Sequence, residues 1–179
     1  MTDLSPTRLW IMRAGFVLLA MVILFFQLLP LETTPRWFAG PDLLLAFACA
    51  WCLRRPDYVP MLVLCALFLL ADLLLQRPPG LWALLALIGC ENLKGQGRTL
   101  RDSNFLAEWL SVSVVIIAIM LANRILLAIA LIDLPGWGLS LSEAGMTLLV
   151  YPLVVAISHW LMGVRKMTPG DLDALGQRA

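Results

Sequence analysis

The chain has 179 residues, of which 61% are hydrophobic and only 14% charged, and its mean hydropathy is +0.88. A soluble domain carries about 25% charged residues, so the solvent for most of this chain is expected to be lipid. A net charge of +1 argues against a nucleic-acid partner, which needs a basic face to replace the counterions around phosphates.

At ~20 apolar residues per helical crossing of a ~30 Å hydrocarbon core, the length suits about six transmembrane helices with short loops and no separate soluble domain. The expected fold class is therefore an all-α integral membrane bundle. The first span is predicted over residues 11–30, after Arg8 and Arg13 and before Pro30. The following Leu31-Glu32-Thr33-Thr34-Pro35 lacks a small-residue cleavage pattern, so this helix is expected to be retained. The second span, 41–54, is short and lies between Pro41-Asp42 and Arg54-Arg55; the third covers 58–75. Gln76-Arg77-Pro78-Pro79-Gly80 then forces a turn, because two prolines and a glycine do not continue a helix cheaply. The fourth span, 80–91, runs into Glu91 and a polar loop from Lys94 to Asn104. The fifth is predicted over 105–124, interrupted at Asn123-Arg124, with 125–134 as an interfacial or re-entrant piece. The sixth covers 145–164, closed by Arg165-Lys166, with a short cytoplasmic tail over 167–179.

Lys and Arg are retained on the cytoplasmic side of short loops. With the N-terminus inside, Arg8, Arg13, Arg54, Arg55, Lys94, Arg98, Arg101, Arg165, Lys166 and Arg178 are cytoplasmic, ten of thirteen, and Arg36, Arg77 and Arg124 are outside. This split predicts a multi-pass protein with both termini cytoplasmic.

Polar residues at membrane depth point to function or to structure, since a central charge costs ~2.5–3.5 kcal/mol on insertion scales. Asp72, set in Leu69-Leu70-Ala71-Asp72-Leu73-Leu74-Leu75, is expected to be neutral, paired or water-facing. Arg124 lies at similar depth, so an Asp72–Arg124 clamp is one expectation; Asp72 capping backbone amides near Pro78-Pro79-Gly80 is another. Glu91 and Glu108 flank the polar loop, where Arg98 or Arg101 is expected to form weak surface pairs with them. The single histidine, His159, excludes a multi-histidine metal site, and Cys49, Cys52, Cys65 and Cys90 read as small hydrophobes in apolar helix rather than as thiolates. No catalytic, cofactor or metal site is therefore expected. Trp10, Trp37, Trp82, Trp109 and Trp137 fall near span ends, with Trp51 and Trp160 near cytoplasmic ends, as an aromatic belt does. The stretch from Asp133 to Glu143, with Trp137, is the expected outside docking loop.

The order of punctuating residues resembles the bacterial rod shape-determining MreD family over most of the chain. The matching positions are Pro41-x-Leu43, Trp51-x-Leu53-x-x-Pro56, Asp72, Pro79-Gly80, and Tyr151-Pro152 followed by Arg165-Lys166. The resemblance implies a non-enzymatic subunit of the cell-wall elongation complex in the bacterial inner membrane. Its implied partners are membrane lipid, the single-span protein MreC, the actin-like MreB and the glycosyltransferase and transpeptidase of peptidoglycan synthesis. That family is similar in fold to the substrate-binding subunits of energy-coupling-factor transporters. Such a subunit is the alternative reading.

Overall fold

The computed structural model describes residues 6–29, 39–97, 100, 104–134 and 136–163. The described residues form six α-helices and no strand: α1 (Pro6–Leu28), α2 (Leu43–Arg54), α3 (Met61–Leu74), α4 (Leu81–Gln96), α5 (Phe105–Ile129) and α6 (Trp137–Met162). A 3₁₀ turn, Pro56–Tyr58, links α2 to α3.

The helices fall into two length classes. At 1.5 Å per residue, α1, α5 and α6 reach roughly 34, 38 and 39 Å, and these three are long and apolar enough to cross a membrane. By the same rise, α2, α3 and α4 reach only about 18, 21 and 24 Å. The shortest is the most enclosed: in α2 every residue from Leu44 to Leu53 is buried, packed between α6 and α4. α3 lies on α4, α4 on α5 and α5 on α6, while α1 rests against the 3₁₀ turn, α3 and α2. Gly89 lets α4 approach α5 closely, because a Cβ there would stand 2.9 Å from Val115 Cγ1 and 2.7 Å from Ile119 Cδ1.

Side chains on the long helices that face away from the bundle are large and apolar: Leu18, Phe25, Val114, Ile129, Leu149 and Leu153 are all exposed. An aqueous surface does not tolerate such a continuous belt, whereas lipid does, consistent with a membrane protein.

Cross-helix contacts sort the helix ends into two sets. Arg13 Nε donates to the Asp57 carbonyl and Arg54 pairs with Glu108, so the start of α1, the end of α2, the start of α3 and the start of α5 share one end of the bundle. At the opposite end the Asp42 amide donates to Thr147 Oγ1 and Ala39 N–H to Ser142 Oγ, bringing together the starts of α2 and α6. Arg77, just beyond α3, lies at that same end beside Asp42 and Glu143. These are called below the Arg54 end and the Arg77 end.

α1 starts at Pro6, five residues before the expected position, and helix boundaries depart from the sequence expectation in three further places. α5 does not break at Asn123-Arg124 but continues to Ile129, because Arg124 finds partners on α6 and does not need to leave the helix. It then stops in a Schellman arrangement: Leu131 takes φ +55°, its N–H donates to the Ala128 carbonyl and that of Ile132 to the Leu127 carbonyl. Residues 125–134 are thus a helix end rather than a re-entrant segment. α6 starts at Trp137, eight residues before the expected position, which turns most of the expected docking loop into helix. α4 continues through Glu91 to Gln96, shortening the polar loop. Trp37, Arg36, Arg98, Arg101, Arg165, Lys166 and the 167–179 tail lie outside the described residues.

Candidate functional site

At the Arg54 end, three helices converge on one carboxylate. Glu108 occupies the first turn of α5 and is fully buried. Arg54, the last residue of α2, grips it with two bonds, Nε to Oε1 at 2.8 Å and Nη2 to Oε2 at 3.1 Å. Tyr151 of α6, also fully buried, donates its hydroxyl to Glu108 Oε1 at 3.2 Å. A bidentate guanidinium–carboxylate pair fixes orientation as well as charge. Glu108 is thus a buried three-helix joint rather than a member of a surface pair, and Glu91 pairs with Lys94 at 2.7 Å on its own helix. Sequence spacing gave no signal for this joint, because Arg54 and Glu108 are 54 residues apart.

Trp51 sits one turn before Arg54 with no exposed surface. Its indole N–H donates to Ser158 Oγ at 3.1 Å, and its ring lies 5.2 Å from Phe16 and 6.3 Å from Tyr58, so it joins α1, α2 and α6 instead of belonging to an interfacial belt. Pro56 opens the 3₁₀ turn that carries Tyr58.

Pro152, inside α6, has no N–H to give the Leu148 carbonyl four residues earlier. Trp109 of α5 fills the gap: its indole N–H donates to that carbonyl at 3.0 Å. The proline's missing donor therefore becomes a cross-helix tie.

At the Arg77 end, Asp72 is fully buried near the end of α3. Its Oδ2 accepts from the backbone N–H of Gly80 at 3.0 Å and of Ala83 at 3.1 Å. A carboxylate from one helix thus caps the N-terminus of the next, where unpaired amides and the helix dipole favour negative charge. Gly80 has φ +86°, a conformation that glycine adopts without a Cβ penalty. Asp72 Oδ1 has no hydrogen-bond partner among the described residues.

Asp72 and Arg124 consequently do not form the expected clamp. Arg124 Nη1 donates to Ser140 Oγ at 2.7 Å, and its guanidinium lies 3.8 Å from the centre of the Trp137 ring, tying α5 to α6. Trp137 itself is exposed at the first position of α6.

Asp42, next to Pro41, caps its own helix, Oδ1 accepting from Leu45 N–H at 3.0 Å, while its amide is held by Thr147 Oγ1 at 2.9 Å. Arg77 reaches Asp42 Oδ2 at 3.7 Å and Glu143 Oε1 at 3.6 Å, both longer than hydrogen bonds, and stacks over Trp82 at 5.1 Å. Two cavities flank these groups: one of about 360 Å³ between the α3–α4 turn, α5 and α6, and one of about 60 Å³ deeper among α2, α4, α5 and α6.

Cys49, Cys52 and Cys90 are buried and Cys65 is exposed; among the described residues no group of three or more potential metal ligands converges. The chain matches no family model, no curated protein and no solved structure.

Proposed function

We propose that this chain is a six-span, non-enzymatic subunit of the bacterial rod elongation complex, of the MreD type. In this reading it binds MreC, and through it MreB and the glycosyltransferase and transpeptidase of the cell wall, so helping to organise peptidoglycan synthesis and cell shape. It lies in the inner membrane with the Arg54 end, and both termini, cytoplasmic. One observation carries the reading: five of the residues that resemble the MreD family, Trp51, Asp72, Gly80, Tyr151 and Pro152, stand at joints of the helix bundle. Trp51 joins α2 to α6 and α1, Asp72 with Gly80 joins α3 to α4, Tyr151 joins α6 to α5, and Pro152 frees the carbonyl that receives Trp109. A protein that commits these buried polar groups to fixing helix positions presents a rigid surface to partners, which is what a scaffold subunit requires.

The alternation of helix ends between two sets supports the orientation, because it places Arg13, Arg54 and Lys94 at one end and Arg77 and Arg124 at the other. The short helices fit six spans if their ends lie inside the hydrocarbon thickness, with Asp42 and Asp72 capping amides that lipid cannot.

Copurification from gently solubilised bacterial membranes tests the proposal. MreC-like and wall-synthesis proteins are expected with the tagged chain. Recovery of a coupling subunit and ATPases, together with a stoichiometric small molecule, would instead identify an energy-coupling-factor substrate-binding subunit.

A further inference from the structure

The 360 Å³ cleft at the Arg77 end lies within the size range of small-molecule sites, ~300–1,000 Å³. Its polar wall carries both charges: Arg77 and Asn123 supply donors, and Glu143 and Asp133 supply carboxylates. Leu81, Leu127 and Ile132 complete it with apolar surface. The carboxylates outnumber the one guanidinium, and the opposite charges do not satisfy one another by hydrogen bonding. Arg77 stands 3.6 Å from Glu143 and 3.7 Å from Asp42, distances at which an ion pair attracts without hydrogen bonding, and its side chain remains 31% exposed. Trp82, which lines both this cleft and the smaller cavity and carries Arg77 on its face, has a buried indole N–H with no acceptor among the described residues. The Arg54 end, by contrast, closes its charges with bonds of 2.8 and 3.1 Å.

We infer that this cleft binds the headgroup of a zwitterionic aminophospholipid. The phosphate lies against Arg77 and the Asn123 amide, and the ammonium lies between Glu143 and Asp133. The glycerol end leaves along Leu81, Leu127 and Ile132 toward the exposed apolar flank of α5, where Ile129 meets lipid. A phosphate alone fits less well, since it would face two carboxylates, and an ammonium alone would face Arg77. The mixed wall selects a ligand carrying both charges, and the apolar wall selects one with an acyl-bearing end. This inference rests on the membrane-spanning part of the proposed function, not on its partners.

The test is native mass spectrometry of the delipidated full chain in detergent, titrated separately with phosphatidylethanolamine, phosphatidylglycerol, water-soluble glycerophosphoethanolamine and inorganic phosphate. The first is expected to bind most tightly, with one tight equivalent. Arg77→Gln should weaken both phospholipids by about tenfold, the low end for loss of a charge-assisted hydrogen bond. Glu143→Gln should weaken phosphatidylethanolamine by about the same factor and leave phosphatidylglycerol unchanged or tighter. Equal affinity for the two phospholipids, or a Glu143→Gln effect common to both, would overturn the inference. Glycerophosphoethanolamine binding as tightly as the full lipid, or phosphate displacing it, would assign the cleft to a soluble ligand and likewise overturn it. Arg77→Lys, which keeps the charge, separates ligand loss from misfolding: it should retain more phosphatidylethanolamine than Arg77→Gln, and equal loss in both would count against the site. Loss of the chain from the membrane fraction would reject the spanning reading itself, an outcome distinct from an empty cleft in a membrane-bound protein.

Discussion

Arg54 and Arg77, at opposite ends of the bundle, are held in opposite ways. At the Arg54 end, a carboxylate with no exposed surface receives two guanidinium bonds and a tyrosine hydroxyl from two other helices. At the Arg77 end, the guanidinium hovers between two carboxylates at 3.6 and 3.7 Å beside a cleft of about 360 Å³. Desolvation explains why the first arrangement must be tight. Removing a charge from water costs most when its partners are distant or its remaining lone pairs are unfilled. Partial exposure relaxes that demand at the second, where the guanidinium remains accessible to water. One end is a lock, the other a receptacle.

The sharpest way to break this contrast is to unpair the lock. Glu108→Ala leaves the largely enclosed Arg54 without its carboxylate and is expected to destabilise the fold by about 3–5 kcal/mol, measured by reversible unfolding in bicelles. Arg54→Met with Glu108→Leu should recover much of that loss, since an apolar pair of similar volume no longer carries a desolvation cost. A double variant as unstable as Glu108→Ala would show that the charges themselves are required. Next in size is the cap at the other end. Asp72→Ala strips an acceptor from two helix-start amides, one of them buried, and should cost up to about 2 kcal/mol, whereas Asp72→Asn, which keeps an oxygen in place, should cost less. Equal losses would mean that charge, rather than the hydrogen bonds, does the capping.

Much of this architecture was legible in the chain. Punctuation by Pro41-Asp42, Arg54-Arg55 and Pro78-Pro79-Gly80 bounds helices as turn chemistry dictates, and apolar runs marked all six helical segments. The capping role of Asp72 was visible as one of two expectations, because a turn with Gly80 lies within eight residues of it. What stayed hidden depended on contacts distant in sequence. Glu108 looked like a loop-flanking surface residue, since nothing local reveals that Arg54 and Tyr151 reach it. Trp51 looked interfacial because its position near a helix end is local, while the Ser158 acceptor lies on α6, 107 residues away. Arg124 looked like a helix breaker for the same reason: the Ser140 and Trp137 contacts that keep it helical belong to another element.

A smaller effect isolates the tie at Pro152. Trp109→Phe removes the donor to the Leu148 carbonyl and should cost about 1 kcal/mol in the otherwise unchanged protein. In a Pro152→Ala background the restored backbone N–H can take that carbonyl, so the same substitution should cost close to nothing. The coupling is measured by a double-mutant cycle, and an unchanged Trp109→Phe loss in the alanine background would show that packing, not the proline's missing donor, sets the cost.

The smallest expected signal lies between Asp72 and Arg124, and it sharpens the contrast most cleanly. Asp72 Oδ2 accepts from Gly80 and Ala83, whereas the Arg124 guanidinium is held by Ser140 and Trp137, on a different helix. Losses from Asp72→Asn and Arg124→Gln should therefore add to within about 0.5 kcal/mol. The Arg54–Glu108 pair, treated the same way, should depart strongly from additivity, because each residue's loss is mostly the cost of stranding the other. A strong Asp72–Arg124 coupling would mean that the Arg77 end is also a single locked network, and the distinction between lock and receptacle would fail.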